Sequence, residues 1–534
     1  MRERSDRALL LTAAAILFVL DAWPLLLVDV PPFQDLPNHM ATAHVVGHLD
    51  LFPLYTFNGF WRSNSLLNTW LVLAGDDHLF GAARAFTAVV IAANALVLPW
   101  FVLRVAGRAR VVPAMLLAWP LVHSFFLSMG FLNFAIAVPM SFVLVVLLGR
   151  QVEAPRLGRG IAIAVLGVAT WYAHPFPLAI VSGLGGWHAI TRTTWPERRR
   201  AALAVAAPLA PIAVLVVVAA SNHLIKAPGA PTSSMQVQFS MPWELPIRFW
   251  LDVSGAFTRW GVTTIVPAIA LPIVAWRERR TPRSLMSWGA TKWLAVLYAA
   301  TPVMWSDWWY LNTRIAPYLW IALVVRVPAA LPRRLTAALA VSALAFSLVL
   351  GIDYVRLDRD RAEFCAGISA VPEGAALLPL MFAHRRTSEQ TASLTHAHAF
   401  YVIAKNVVSP MMFAGERSFV LTYTTFPPKE LILPAIHNFA VLNDSPERDC
   451  DLDDVACVLR WRARWASFWK LAEPRFAYVL TWKMNRHVRK LMPASYRAVF
   501  ERGDLAIFAR AGAVLPLDAP RDRDGSINAA GTRR

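Results

Sequence analysis

The sequence predicts a polytopic α-helical membrane protein with about eleven transmembrane helices, followed by a C-terminal extracytoplasmic α/β domain. Three observations predict it. Of 534 residues, 57% are hydrophobic and only 16% are charged, with a mean hydropathy of +0.46. Soluble domains run about 45–50% apolar and about 25% charged. The apolar residues are gathered into blocks close to the ~20 residues that cross a bilayer. After about residue 353 the long apolar runs stop, charge rises, and short strand-like stretches take over.

The composition excludes disorder, collagen-like repeats and a purely soluble enzyme. The net charge of +18 would suggest nucleic acid in a soluble chain. Here much of the excess sits in short loops between apolar blocks, where it sets membrane orientation, so no nucleic-acid partner is expected. The three cysteines, Cys365, Cys450 and Cys457, make neither a disulfide framework nor a zinc spacing.

The first block, 8–28, follows the basic segment MRERSDR and reads as a retained first helix with its N-terminus in the cytoplasm. Further blocks fall near 83–104, 111–129, 131–149, 160–174, 176–191, 201–220, 261–276, 290–305, 314–331 and 335–352. Arg104, Arg108 and Arg110 lie between the second and third blocks, and Arg150, Arg156 and Arg159 between the fourth and fifth. Arg192 and Arg198–Arg200 follow the sixth, Arg277 to Arg283 the eighth, and Arg333 and Arg334 the tenth. All these loops share the side of the N-terminus. An odd number of spans then puts the C-terminal domain outside the cytoplasm, in a multi-pass protein of a bacterial inner membrane.

A membrane body over 1–353 therefore carries two long outer loops. The first, 30–82, contains LPNHMATAHVVGHL and SLLNTWLVLAG, which suit helices lying in the interface. The second, 221–259, is rich in Pro and Trp. The outer domain, 354–512, has strand-like stretches at GAALLPLMF, SFVLTYTTF, FAYVLTWKM, YRAVFERG and LAIFAR, and a helix in DLDDVACVLRWRARWASFWKLA. The tail 513–534 is polar and expected to be disordered. Outside the cytoplasm Cys450 and Cys457 could pair.

Ionisable residues near a membrane are expensive unless they pair or work. Asp35 and His39, His123, His174, Asp307 and Arg314 all map to the outer boundary. Asp35 stands out in DVPPFQDLPNH, where two prolines fix an extended approach to an interfacial helix. As an N-cap it would fit equally well before Leu-Pro. Asp76 and Asp77 read as a turn and cap, although they could supply metal ligands. His396 and His398 of THAHAF would share one strand face, without a third ligand nearby. DCDLDD lacks the Gly and closing Glu of a calcium loop. No metal site is assigned on this pattern. The tryptophans read as interfacial belts.

FQDLPNHMATAHVV, GFLNFAIAVPM and LNTRIAPY, in this architecture, resemble the GT-C superfamily of integral-membrane glycosyltransferases, in an uncharacterised bacterial branch. The resemblance implies a polyprenyl-phosphate-linked sugar donor, a lipid, glycan or protein acceptor on the outer side, and a first-loop acid as catalytic base, here Asp35. Asp35 is followed by Leu-Pro rather than by a second acid. Such an enzyme must deprotonate an acceptor hydroxyl and stabilise a departing phosphate. Arg314, His39, His174, Arg62, Lys226 and Arg248 are the candidates for the phosphate, Arg314 first because it opens a span at the boundary. Trp305, Trp308 and Trp309 beside it could pack on sugar or isoprenoid. The resemblance fixes no cofactor, and a divalent cation could take part. The alternatives are a flippase for a lipid-linked glycan, which calls for charges or broken helices at mid-membrane, and a non-catalytic assembly protein on the same fold.

Overall fold

The computed structural model describes residues 2–191, 194–224, 237–254, 257, 259–278, 285–305, 308–382, 391–414, 419–433, 435–448, 450–451 and 453–513. Helix α1 (Arg2–Ala22) stops in a 3-10 turn at Trp23–Leu26. The first outer loop holds α2 (Leu36–Gly47), strand β1 (Tyr55–Phe57) and α3 (Leu66–Ala74). The body continues through α4 (Leu79–Val105), α5 (Val111–Ala118), the short α6 (Phe125–Met129), α7 (Leu132–Glu153), α8 (Leu157–Ala173), α9 (Pro175–Ile190) and α10 (Trp195–Leu224). Next come β2 (Val237–Gln238), α11 (Leu245–Val253), α12 (Ile265–Arg277), α13 (Trp288–Ala300), the hairpin β3 (Met304–Trp305) and β4 (Trp308–Trp309), α14 (Ala316–Val324) and α15 (Arg333–Cys365).

Each expected span falls on a helix, but not all have the same reach. Among the described residues six segments are long and apolar enough to cross a bilayer: Glu3–Leu26, Asp76–Val105, Arg108–Met129, Leu132–Glu153, Trp195–Val218 and Arg333–Ala370. The others are shorter, such as α8 with 17 residues and α9 with 16. At 1.5 Å per residue α8 and α9 reach roughly 25 Å, the 13-residue α12 and α13 about 20 Å, and the 9-residue α14 about 14 Å. Helix α15 shows how a span chooses its faces. Val341, Leu344, Leu348 and Ile352 recur at helical spacing on an exposed apolar stripe, while Leu339, Ala343, Phe346 and Leu350 are buried. The outer stripe has the composition of a lipid-facing surface. Contact with the turn after α1 is close: a methyl group on Gly351 would stand 2.2 Å from the Trp23 ring, whose Nε1 donates to Ser347 Oγ at 2.8 Å. Helix α15 also runs on through residue 353 into the outer domain, so one rigid rod connects the two regions.

The outer domain adds β5 (Leu377–Met381), α16 (Ala399–Lys405), β6 (Leu421–Tyr423), α17 (Ala435–Leu442), α18 (Val455–Ala472), β7 (Tyr478–Trp482), α19 (Arg486–Arg489), β8 (Tyr496–Arg502) and β9 (Leu505–Arg510). Four strands form one sheet in the order β5-β7-β9-β8, with β5 parallel to β7 and the other pairs antiparallel. Pro379 is tolerated because β5 is an edge strand. Both faces are buried. Leu378, Leu380, Val479 and Phe508 pack under Trp461, Trp465, Phe468 and Trp469 of α18. The alternate residues, Leu377, Met381, Leu480 and Ile507, belong to the core shared with the membrane body. Helix α18 starts where Asp454 accepts the Cys457 N–H at 3.0 Å, and Cys457 is disulfide-bonded to Cys450. The stretch SFVLTYTTF leaves this sheet: β6 pairs instead with β1, Tyr55 opposite Tyr423, tying the first outer loop to the outer domain. The tail beyond 513 lies outside the described residues.

Candidate active site

Asp35 enters its position on backbone bonds. Pro31 and Pro32 extend the approach, and the N–H groups of Gln34 and Asp35 donate to the carbonyls of Ser128 and Met129 at 3.2 and 3.0 Å. The next residue, Gly130, has φ +82°, and a methyl group there would lie 2.9 Å from both Asp35 N and Leu36 N. The chain can therefore lie against α6 only because this residue has no side chain. Helix α2 then starts with Pro37 in its first turn. Asp35 occupies the N-cap position, yet its carboxylate makes no capping bond. It is buried, 9% exposed, and its partners are Gln34 Nε2 at 3.4 Å and His396 Nε2 at 3.5 Å. Burial raises its pKa from 3.8 to about 7, against a small lowering by Gln34. A carboxyl balanced near neutrality is suited to taking a proton.

The C-terminal domain closes over this helix. Ala392 N–H donates to Gln34 Oε1 at 2.9 Å. The Asn38 amide is oriented by two backbone groups: Nδ2 donates to Met411 O, and Oδ1 accepts from Phe413 N, both at 2.9 Å. Its Nδ2 also stands 3.3 Å from His396 Nδ1, which must therefore accept. The neutral His396 ring then carries its proton on Nε2, directed at Asp35. His396 and His398 do not share a strand face; they lie in the turn leading into α16. His39, one turn after Asp35, donates from Nδ1 to Asn68 Oδ1 at 3.0 Å and packs edge-on to Phe413. Burial lowers its pKa to about 4, so it is a neutral polar group rather than a cation.

A second group forms around Arg314. Its Nη1 lies 2.7 Å from His174 Nε2, its guanidinium sits over Phe131 and Phe134, and its buried Nε has no hydrogen-bond partner. His174 Nδ1 also receives the Phe176 N–H at 3.2 Å, as the cap of α9. A neutral imidazole has one lone pair, so these two donors compete for it. Residues 130–134 connect the two groups: Gly130 presses on the Asp35 backbone, and Phe131 and Phe134 touch Arg314. Between them Asn133 ties α7 to the first loop, accepting from Leu67 N at 2.8 Å and donating to Asn64 O at 2.9 Å.

The remaining candidates are placed apart from these contacts. Arg62 is half-buried in the turn after β1, where Nε donates to Asn58 O at 2.9 Å. Arg248 pairs with Glu244 along α11 at 3.3 Å. Lys226 and Asp307 lie outside the described residues. Trp305, Trp308 and Trp309 form the exposed β3–β4 hairpin, which Arg314 reaches through Trp309 O at 3.4 Å. A buried acid absent from the candidate set is Asp252 of α11. It accepts from Tyr298 at 2.9 Å, and burial raises its pKa to about 7 despite bonds from Tyr298 and Thr313 and the nearby Arg248. Its sole sequence signal is an acid inside the apolar run RFWLDV. An open cleft of 630 Å³ lined by Gln151, Trp195, Arg199 and Arg200 shares no residue with either group.

An apolar helical body, a long first loop carrying a buried acid, and a C-terminal domain folded back over that loop make up a polytopic membrane fold of the GT-C kind. No protein-family model and no curated protein matches the sequence. Solved structures that share the fold include two membrane transferases. ArnT from Cupriavidus metallidurans, solved bound to undecaprenyl phosphate, superposes with a TM-score of 0.54 at 13% identity, over 98% of this chain and 99% of that one. The arabinofuranosyltransferase AftD from Mycobacteria gives 0.50 at 14% identity, over 95% of this chain but 40% of its own. The chain thus spans nearly all of ArnT and less than half of AftD.

Proposed function

We propose that the protein is a membrane glycosyltransferase that moves a sugar from a polyprenyl-phosphate-linked donor to a hydroxyl of a lipid, glycan or protein acceptor on the outer side of a bacterial inner membrane. The observation that carries this reading is the Asp35 carboxylate: buried, balanced near neutrality, left out of helix capping, and coupled through residues 130–134 to a half-buried arginine whose Nε is buried without a partner. Asp35 takes the proton of the acceptor hydroxyl. The acceptor oxygen attacks the anomeric carbon, and the carbon–oxygen bond to phosphate breaks with its electron pair leaving on the phosphate. A single displacement of this kind inverts the sugar. Arg314 meets the departing charge with its unpartnered Nε and the edge it now shares with His174. When the guanidinium turns to phosphate, the His174 lone pair returns to capping α9, so His174 is a positioning residue. His39, neutral, offers a polar contact to acceptor or sugar. The likeness to a structure holding undecaprenyl phosphate supports the donor class.

Arg314→Ala should weaken binding of a polyprenyl-phosphate donor by about ten- to a hundredfold, the worth of a charged hydrogen bond. Arg314→Lys should recover only part of it, because a point charge lacks the planar fork. Donor binding unchanged in the alanine variant would leave Arg314 a membrane anchor.

The basic loops and the Cys450–Cys457 disulfide both support an outer location for the terminal domain. Alkaline phosphatase joined after residue 513 should be active in cells, and a cytoplasm-dependent reporter there silent. The reverse pattern would separate Asp35 from outer-leaflet substrates. Wild-type protein that transfers no sugar but moves a lipid-linked glycan across vesicles would turn the reading to the flippase.

A further inference from the structure

At the other end of α2 from Asp35, His44, His48 and Asp76 meet, the one such trio of metal-ligating side chains among the described residues. His44 and His48 are one helical turn apart, in HVVGH. Asp76 comes from the 3-10 turn Asp76–His78 that opens α4. His44 Nδ1 lies 3.2 Å from Asp76 Oδ1, and His48 Nδ1 lies 3.2 Å from Asp76 Oδ2.

The protonation of His44 is set from outside this trio. Asn406, at φ +50° after α16, donates from Nδ2 to Glu373 Oε1 at 3.0 Å, so its Oδ1 is the atom that faces His44 Nε2 at 2.7 Å. The ring therefore carries its proton on Nε2. Its other nitrogen, Nδ1, presents a lone pair, is buried in a residue only 7% exposed, and has no hydrogen-bond partner. That lone pair points at a carboxylate. Two electron-rich atoms at 3.2 Å are repulsive unless a cation lies between them.

The spacing fits a metal ion better than a proton. Charge-assisted N–H···O bonds run about 2.7–2.9 Å. Ligands about 2.0–2.1 Å from a tetrahedral zinc ion stand roughly 3.3 Å apart. The Asn406 contact is also of the kind that orients a metal-bound histidine, its remaining N–H held by a polar oxygen. His48 Nδ1 lies 3.1 Å from the His44 carbonyl oxygen as well. In the metal-free chain Nδ1 carries the ring proton and donates there; on binding the proton moves to Nε2, and the Nδ1 lone pair is free for the ion.

We propose that His44, His48 and Asp76 bind one divalent transition-metal ion of the zinc class, with a water in the fourth position on the side where Asp76 is exposed. The ion is a clasp. It joins α2 to the start of α4 and, through Asn406, to the outer domain. It is separate from the acid–base chemistry, because nine residues of helix put it about 14 Å along the axis from Asp35.

The test uses full-length protein in detergent, stripped with chelator and titrated with Zn²⁺ alone. Bound metal is counted after desalting, and Co²⁺ substitution supplies a visible absorption band. Wild type should hold one equivalent, and its melting temperature should rise with Zn²⁺. Asp76→Asn and His48→Gln should each bind at least tenfold more weakly and lose the stabilisation. Asn406→Ala, which alters no ligand, should weaken binding by about ten- to a hundredfold. Uptake by wild type no greater than by an Asp76→Asn, His48→Gln double variant overturns the proposal, as does a cobalt spectrum that all three substitutions leave unchanged.

Discussion

Asp35→Asn should abolish sugar transfer while leaving the protein folded. Asn cannot take a proton at neutral pH, and losing a general base commonly costs about 10²–10⁴ in rate. Its effect on stability carries a definite sign. The folded-state pKa, about 7, lies above the ordinary 3.8. Between those values the folded protein keeps a proton that the unfolded chain has lost. The stability this group contributes is complete at low pH and is lost as pH rises through about 7. The wild type therefore carries an ionised, buried carboxylate at pH 8, a burden on the order of a few kcal/mol. Asp35→Asn should remove it, melting higher than wild type at pH 8, by a smaller margin at pH 5, and close to it only below about pH 4. An N-cap residue would show neither trend, because Asn caps as well as Asp. In wild type, kcat/KM should fall below about pH 7 as the base protonates. A variant that transfers sugar at the wild-type rate would remove Asp35 from the chemistry.

Gly130→Ala should be the most damaging change outside the acid itself. The residue has φ +82°, which costs alanine about 1–2 kcal/mol. The added methyl would also meet Asp35 N and Leu36 N at 2.9 Å and Asp35 Cα at 3.2 Å. These are backbone atoms and cannot swing aside. Either the bonds from Gln34 and Asp35 to the carbonyls of Ser128 and Met129 open, or α2 shifts with its carboxylate. A displacement near 1 Å at a reacting group costs roughly 10²-fold in rate. Transfer should fall by at least that much, with a lower melting temperature. Gly186→Ala is the control, since a methyl there meets nothing within 4 Å. Equal activity in the two variants would mean that the α6 turn does not set the position of Asp35.

Much of the architecture is written along the chain. Spans follow from runs of apolar residues, because the bilayer reads hydrophobicity one segment at a time. Loop arginines give a sidedness by the same segment-by-segment logic. The strands of the C-terminal sheet follow from short apolar runs rich in β-branched and aromatic residues, as in YVLTW and LAIFAR, which are buried on both faces, although SFVLTYTTF pairs with the first loop instead. The sequence also isolates Asp35, through the prolines before it and the helix after it.

The tertiary structure decided what that carboxylate does. Capping and proton transfer ask for the same residue type in the same place, and they differ only in where the side-chain oxygens point. His396 reaches Asp35 because Asn38, 358 residues away from it, fixes its tautomer. Arg314 meets His174 across 140 residues, and His44 meets Asn406 across 362. None of these pairs has a local pattern, since a contact between distant segments costs nothing in local propensity and leaves no period to read. Hydrophobic spacing is set by the solvent and is legible in one dimension. The convergence of a few polar side chains depends on how packed elements turn toward one another, and it exists only in three.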